Sequence, residues 1–200
     1  YQWLADGVAI SGATASTLTL AQDQVGAAIS VEVSYTDLQG TPESVTSSAS
    51  AAVANVNDDV TGTVTIDGVF TQGETLTANT SALDDIDGLG ILSYQWLADG
   101  VAISGATSAT LVLDQDQVGA AISVQVSYTD GFGASESVTS AASAAVANVN
   151  DVVTGAVTID GVFTQGETLT ANTSALADID GLGAFSYQWL ADGVAISGAT

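Results

Sequence analysis

Between Ala120 and Thr129 apolar and polar side chains alternate. Ala120, Ile122, Val124, Val126 and Tyr128 share one parity, and Ser123, Gln125, Ser127 and Thr129 take the other. A period of two is that of a β-strand with one face buried and one face wet. The same reading, with turn residues between, predicts strands over 62–66, 74–79, 92–98, 101–103, 110–113, 120–129 and from 136 towards 146. Val64, Ile66, Leu76, Ala78, Leu111 and Leu113 fall on the inward parity of their segments. No stretch has a convincing period of 3.6, so helix should be nearly absent.

The pattern repeats. YQWLADGVAISGAT opens at Tyr1 and returns at Tyr94 and Tyr187, a period of 93 residues both times. That spacing marks a tandem array. In each copy Asp-Gly (Asp99-Gly100 in the middle one) supplies the residues that a two-residue hairpin turn needs at positive φ. Trp96, inward on the strand before that turn, reads as the core aromatic of an immunoglobulin-like sandwich. The expected class is all-β: tandem immunoglobulin-like antiparallel β-sandwich repeats. AAVANVND (Ala51 to Asp58, again Ala144 to Asp151) lacks both turn dipeptides and alternating large apolar residues, so it reads as a last strand running into a linker. The expected division is therefore a complete repeat over 58–150, the second half of a preceding repeat over 1–57, and the first half of a following one over 151–200. The halves should lack, respectively, the first two and the last three strands. Either they belong to a longer array or they complete one another, within one chain or between neighbours.

Composition then narrows the chemistry. The 200 residues include 23 Asp and Glu but no Lys, Arg, His, Cys or Met, for a formal charge of −23. Without His, Cys or Lys there is no catalytic triad, thiolate, Schiff base or soft-metal site. Paired carboxylates could still hydrolyse glycosides, but no aromatic-lined cleft is evident. An enzyme is not expected. Nucleic acid and anionic membrane are repelled by such a chain, and no run of residues is long and apolar enough for membrane insertion. Hydrophobic residues make up 46% of the chain, which argues for a packed core over disorder.

SYQWLADGVAISGAT, TLVLDQDQVGAAISVQVSYTD and the NVND junction together resemble the bacterial immunoglobulin-like repeats of giant surface adhesins, including RTX-type ones. The resemblance covers the whole chain. It implies an extracellular, cell-surface location and a structural role: a spacer that extends a terminal binding domain away from the cell, stiffened by calcium at the junctions and partnered by its neighbouring repeats. Two other readings stay open. One is a repeat subunit of an extracellular filament or sheath, partnered by identical chains in a fibre. The other is a carbohydrate- or protein-binding module, which exposed aromatics such as Phe132 would favour. The glycine-rich nonapeptides of RTX solenoids are absent from this stretch, as is the proline often found after NVND. Tyr128, at the far end of its strand, is not placed as the tyrosine corner of antibody domains is.

Alternating strand direction brings the acidic loops together. The lower end of the repeat should collect the entering linker (Asn57, Asp58), the SALDDIDGLG loop (Asp85, Asp87) and the turn at Asp130. Asp6 and Asp23 of the preceding repeat should face them. The next junction should gather Asn150, Asp151, Asp178 and Asp180. Carboxylates without cationic partners repel one another, by about 1 kcal/mol per pair at ~4 Å in water. Calcium would relieve this with six to eight oxygen ligands. DDIDG lacks the later ligands of an EF-hand, and a solvated acidic turn is the alternative. Asp84 is the weakest ligand candidate, because its counterpart is Ala177. Asp114 and Asp116 read as a helix-like turn. Asn79-Thr80-Ser81 and Asn172-Thr173-Ser174 match the glycosylation acceptor pattern, a match that arises easily in Thr-rich strands.

Overall fold

A computed structural model describes residues 1–200. The strands are β1 (Gln2–Ala5), β2 (Val8–Ala9), β3 (Ile29–Thr36), β4 (Pro42–Thr46), β5 (Thr65–Asp67), β6 (Thr75–Asn79), β7 (Ser93–Ala98) and β8 (Val101–Ala102). They continue with β9 (Thr110–Val112), β10 (Ile122–Thr129), β11 (Ser135–Thr139), β12 (Thr158–Asp160), β13 (Thr170–Asn172), β14 (Leu190–Ala191) and β15 (Val194–Ala195). Every strand pairing is antiparallel, and the only helices are two single 3₁₀ turns, Gln22–Gln24 and Gln115–Gln117. The chain is all-β.

Between residues 58 and 150 two sheets form, in the orders β5-β6-β9 and β11-β10-β7-β8. Their inner faces meet in one core, in a sandwich-like arrangement. Trp96, Leu76, Ile122 and Val124 are wholly buried there, with Val126, Leu113, Val64, Val146, Leu83, Ala78 and Leu111 around them. Trp96 Nε1 donates to the Ser108 carbonyl at 2.9 Å, so the ring is buried with its one polar atom satisfied. The alternation of β10 holds with one exception. Ser123, expected on the wet face, is buried as well. It lies opposite Leu97 in a strand flanked on both sides, where a small side chain is overlaid by its neighbours. The last predicted strand stops at Thr139. Beyond it, Ser140 and Ser143 hydroxyls accept the Val124 and Ile122 N–H groups at 3.0 and 2.9 Å, replacing ladder bonds.

The other two copies of the hairpin sequence show what the partner strands contribute. Asp6, Asp99 and Asp192 adopt φ of 49°, 48° and 49°, so the turn is set locally. Burial is not. Trp3 and Trp189 are only half-buried, and β14–β15 forms a sheet of two strands. β13 begins only at Thr170, whereas the counterpart of β6 would begin at Thr168, because no third strand pairs with it as β9 pairs with β6. The apolar face of this last segment lines an open cavity of about 420 Å³, walled by Val157, Ile159, Leu176, Phe185, Tyr187 and Trp189. A second apolar hollow, around Trp3, Leu18, Leu20 and Ile29, is lined by different residues, so the two end segments do not cover each other.

Candidate functional site

The acidic end of the 58–150 unit is built by backbone contact. Gly131 N–H donates to the Asp87 carbonyl at 3.1 Å, joining the β6–β7 loop to the β10–β11 turn. The approach is so close that a Cβ on Gly131 would lie 2.6 Å from that carbonyl oxygen, and one on Gly90 would lie 1.9 Å from the Thr129 carbonyl oxygen. Only glycine fits at these two positions. The contact draws Asp85, Asp87 and Asp130 out of solvent, to 7%, 4% and 7% exposure.

Each buried carboxylate then finds donors. Asp85 Oδ2 accepts the Tyr128 hydroxyl at 2.5 Å, and its Oδ1 accepts the Asp87 N–H at 2.8 Å. Asp87 Oδ2 accepts the Asp58 N–H at 2.8 Å, and its Oδ1 accepts the Gln22 side-chain amide, also at 2.8 Å. Asp130 Oδ1 accepts the Phe132 and Ala134 N–H groups at 2.8 Å and shapes its turn. The electrostatics follow from these partners. The Asp58 N–H holds the Asp87 carboxyl below its ordinary range; burial opposes this, while the Asn55 and Gln22 amides reinforce it. Burial raises the Tyr128 phenol well above its usual value, helped by its bond to Asp85 and by the negative charge of Asp85, Glu136 and Asp130.

Of the expected ligands, Asn57 turns its amide to Glu136 Oε1 at 2.9 Å, and Asp58 contributes its backbone N–H rather than its exposed carboxylate. At the second junction the Asp151 N–H meets Asp180 Oδ2 at 2.7 Å, and the Asp180 N–H meets Asp178 Oδ1 at 2.9 Å. Asn150 donates to the Asp151 carbonyl at 3.0 Å. Gln72 spans the exit side: its Oε1 accepts the Val149 N–H at 3.0 Å and its Nε2 donates to Asp151 Oδ2 at 3.1 Å. Asp6, expected to face the first cluster, instead accepts the Ala28 N–H at the entry to β3.

Tested as a calcium shell, this set does not fit as arranged. No three carboxylates converge on one point. Asp85 and Asp87 have both oxygens engaged by donors of the chain itself. Among these carboxylates one acceptor is left over: Asp130 Oδ2 is buried without a partner, as are the amide oxygens of Asn55 and Gln115. The glutamines Gln22 and Gln72 were missed by sequence reasoning, which looked only for charge. Their signal was position, since Gln22 sits beside Asp23 in a loop already expected at the junction. Asn79 and Asn172, of the acceptor patterns, direct their amide nitrogens to Asp67 and Asp160, each at 2.9 Å. No protein-family model matches the chain, and no curated protein or solved structure was found to match it.

Proposed function

We propose that the chain is a structural extender: tandem immunoglobulin-like repeats that space the business end of a long extracellular adhesin away from the cell surface. One observation carries the reading. The junctions at both ends of residues 58–150 are hydrogen-bonded: Asn57 to Glu136, with Asp58 and Gln22 to Asp87, on entry; Gln72 to Val149 and Asp151, with Asp151 to Asp180, on exit. A linker fastened in this way does not behave as a flexible coil, and successive repeats add length in a fixed direction. The two-sheet core of residues 58–150 supports the immunoglobulin-like assignment, and the 93-residue recurrence in sequence supports the array. The test is small-angle scattering on chains of two, four and six repeats. Maximum dimension should rise linearly with repeat number. Growth with the square root of repeat number would overturn the reading.

A second reading rests on one observation. The partnerless Asp130 Oδ2 favours calcium at the lower end of the repeat; calorimetric titration of the chain with calcium, repeated on Asp130→Asn, decides it.

A further inference from the structure

We infer that Asp87 is the register lock between successive repeats: it binds the Gln22 side chain of one repeat and the Asp58 N–H of the linker at once, and needs no cation to do so. The inference rests on the extender reading and names how its first junction is fixed. Gln22 and Asp87 are 65 residues apart in sequence and belong to different sheets' loops, so their bond crosses the junction itself. Asp87 is 4% exposed, and a carboxylate so far out of water is stabilised by donors on its oxygens. It has them: the amide on Oδ1, the linker N–H on Oδ2. In a chain with no Lys, Arg or His, side-chain donors to an anion are neutral amides, hydroxyls and indole N–H groups, and at Asp87 the donor is an amide.

The turn that offers Gln22 is built to offer it alone. In Gln22–Gln24 the second glutamine folds back, its Oε1 accepting the Ala21 N–H at 3.0 Å, while Gln22 reaches outward. Between them stands Asp23. A slip of one residue would present Asp23 to Asp87, carboxylate against carboxylate, in a poorly hydrated setting. The QDQ order thus accepts one register and repels the next. At the second junction the backbone half of the lock recurs as Asp151 N–H to Asp180 Oδ2. There Gln115 holds the position equivalent to Gln22 with its Oε1 buried and unpartnered, so the side-chain half does not recur, and Gln72 binds the linker at Asp151.

The experiment uses the full 200-residue chain in chelator, with hydrogen exchange at the Asp58 amide read by NMR. Tryptophan fluorescence checks that the core stays folded. Gln22→Glu should speed exchange at Asp58 at least tenfold, since it sets two carboxylates against each other. Asp87→Asn alone should have an intermediate effect. The double variant Gln22→Glu with Asp87→Asn should regain most of the protection, because the introduced asparagine can donate to the introduced glutamate while still accepting the linker N–H. Equal protection in parent and Gln22→Glu would overturn the inference, as would a double variant no better than the single one. So would a parent chain that is protected only when calcium is present. The extender reading has a separate fate: length could still grow linearly through the Asn57 and Gln72 contacts if this lock failed.

Discussion

The Tyr128 hydroxyl donates to Asp85 Oδ2 over 2.5 Å, with both side chains almost completely buried. Tyr35, 93 residues earlier, has the same strand neighbours in sequence. It is half exposed and turns its hydroxyl to Glu43. The tyrosine is therefore drawn into the interior by the aspartate loop, and the loop is closed by the tyrosine. Tyr128→Phe should cost about 1–3 kcal/mol, because it leaves a buried carboxylate oxygen without its donor. Urea unfolding followed by tryptophan fluorescence measures it. Tyr35→Phe, compared in the same way, should leave stability within about 0.5 kcal/mol of the parent.

The pH profile should fall at both ends. Asp87 has a lowered folded-state pKa, so on acidification the unfolded chain takes up the proton first. The stabilisation from Asp87 is full above the unfolded value of about 3.9 and is lost as pH drops through the folded one. Asp87→Asn should flatten that acid limb. Tyr128 has a raised value, so on alkalinisation the unfolded chain gives up its proton first. Stability should decline above about pH 10, and Tyr128→Phe should remove that decline. Equilibrium unfolding measured from the acid limb to the alkaline one tests both.

Trp96→Ala should cost about 3–5 kcal/mol, the penalty for emptying a large aromatic site in a packed core. Trp189→Ala should cost far less, although the two tryptophans sit in the same stretch of sequence, YQWLADGVAISGAT. Only Trp96 is covered by a second sheet. Denaturant melts of the two variants, side by side, give the comparison.

Gly90→Ala should destabilise by about 1–3 kcal/mol through overpacking, since its Cβ would collide with the backbone carbonyl of Thr129 rather than with a yielding side chain. The damage should also reach Asp87, because the same loop carries both. Faster hydrogen exchange at the Gly131 amide, which bonds the Asp87 carbonyl, would report it.

Much of the fold was legible because it depends on periodicity. The parity of Leu76, Leu111, Val124 and Val126 placed all four in one core, and Asp99-Gly100 announced its own turn. Strand ends were less legible. β5 starts at Thr65 rather than Gly62, and β11 gives way to serine hydroxyls at Ser140, because those bonds depend on what lies alongside. At the junction, alternating strand direction brought together the linker, the β6–β7 loop and the β10–β11 turn, but it also placed there Asp6, which bonds Ala28 instead. Asp58 acts through its N–H and Asn57 through its amide. A carboxylate in sequence looks equally ready for a cation or for a hydrogen-bond donor. Only Gln22, Tyr128 and the backbone N–H groups of the neighbouring loops distinguish the two, and they come from far along the chain.

The three copies of the Asp-Gly hairpin, alike in their turns and unlike in their burial, also bear on how such a chain leaves the ribosome. A hairpin set by its own turn closes within microseconds of emerging, whereas synthesis proceeds at ~5–20 residues per second. Val124 and Val126, which lie across from Trp96 and Tyr94, emerge well behind them. Trp96 thus waits for seconds uncovered, behind an earlier segment of nearly the same sequence. Pairing with that segment's strands would be a trap. There β1 and β3 are already zipped to each other, as β7 and β10 will be from Ser93–Ser127 to Ala98–Ile122, and both partners carry negative charge throughout. Vectorial synthesis and uniform charge together keep each tryptophan for the strand that follows it.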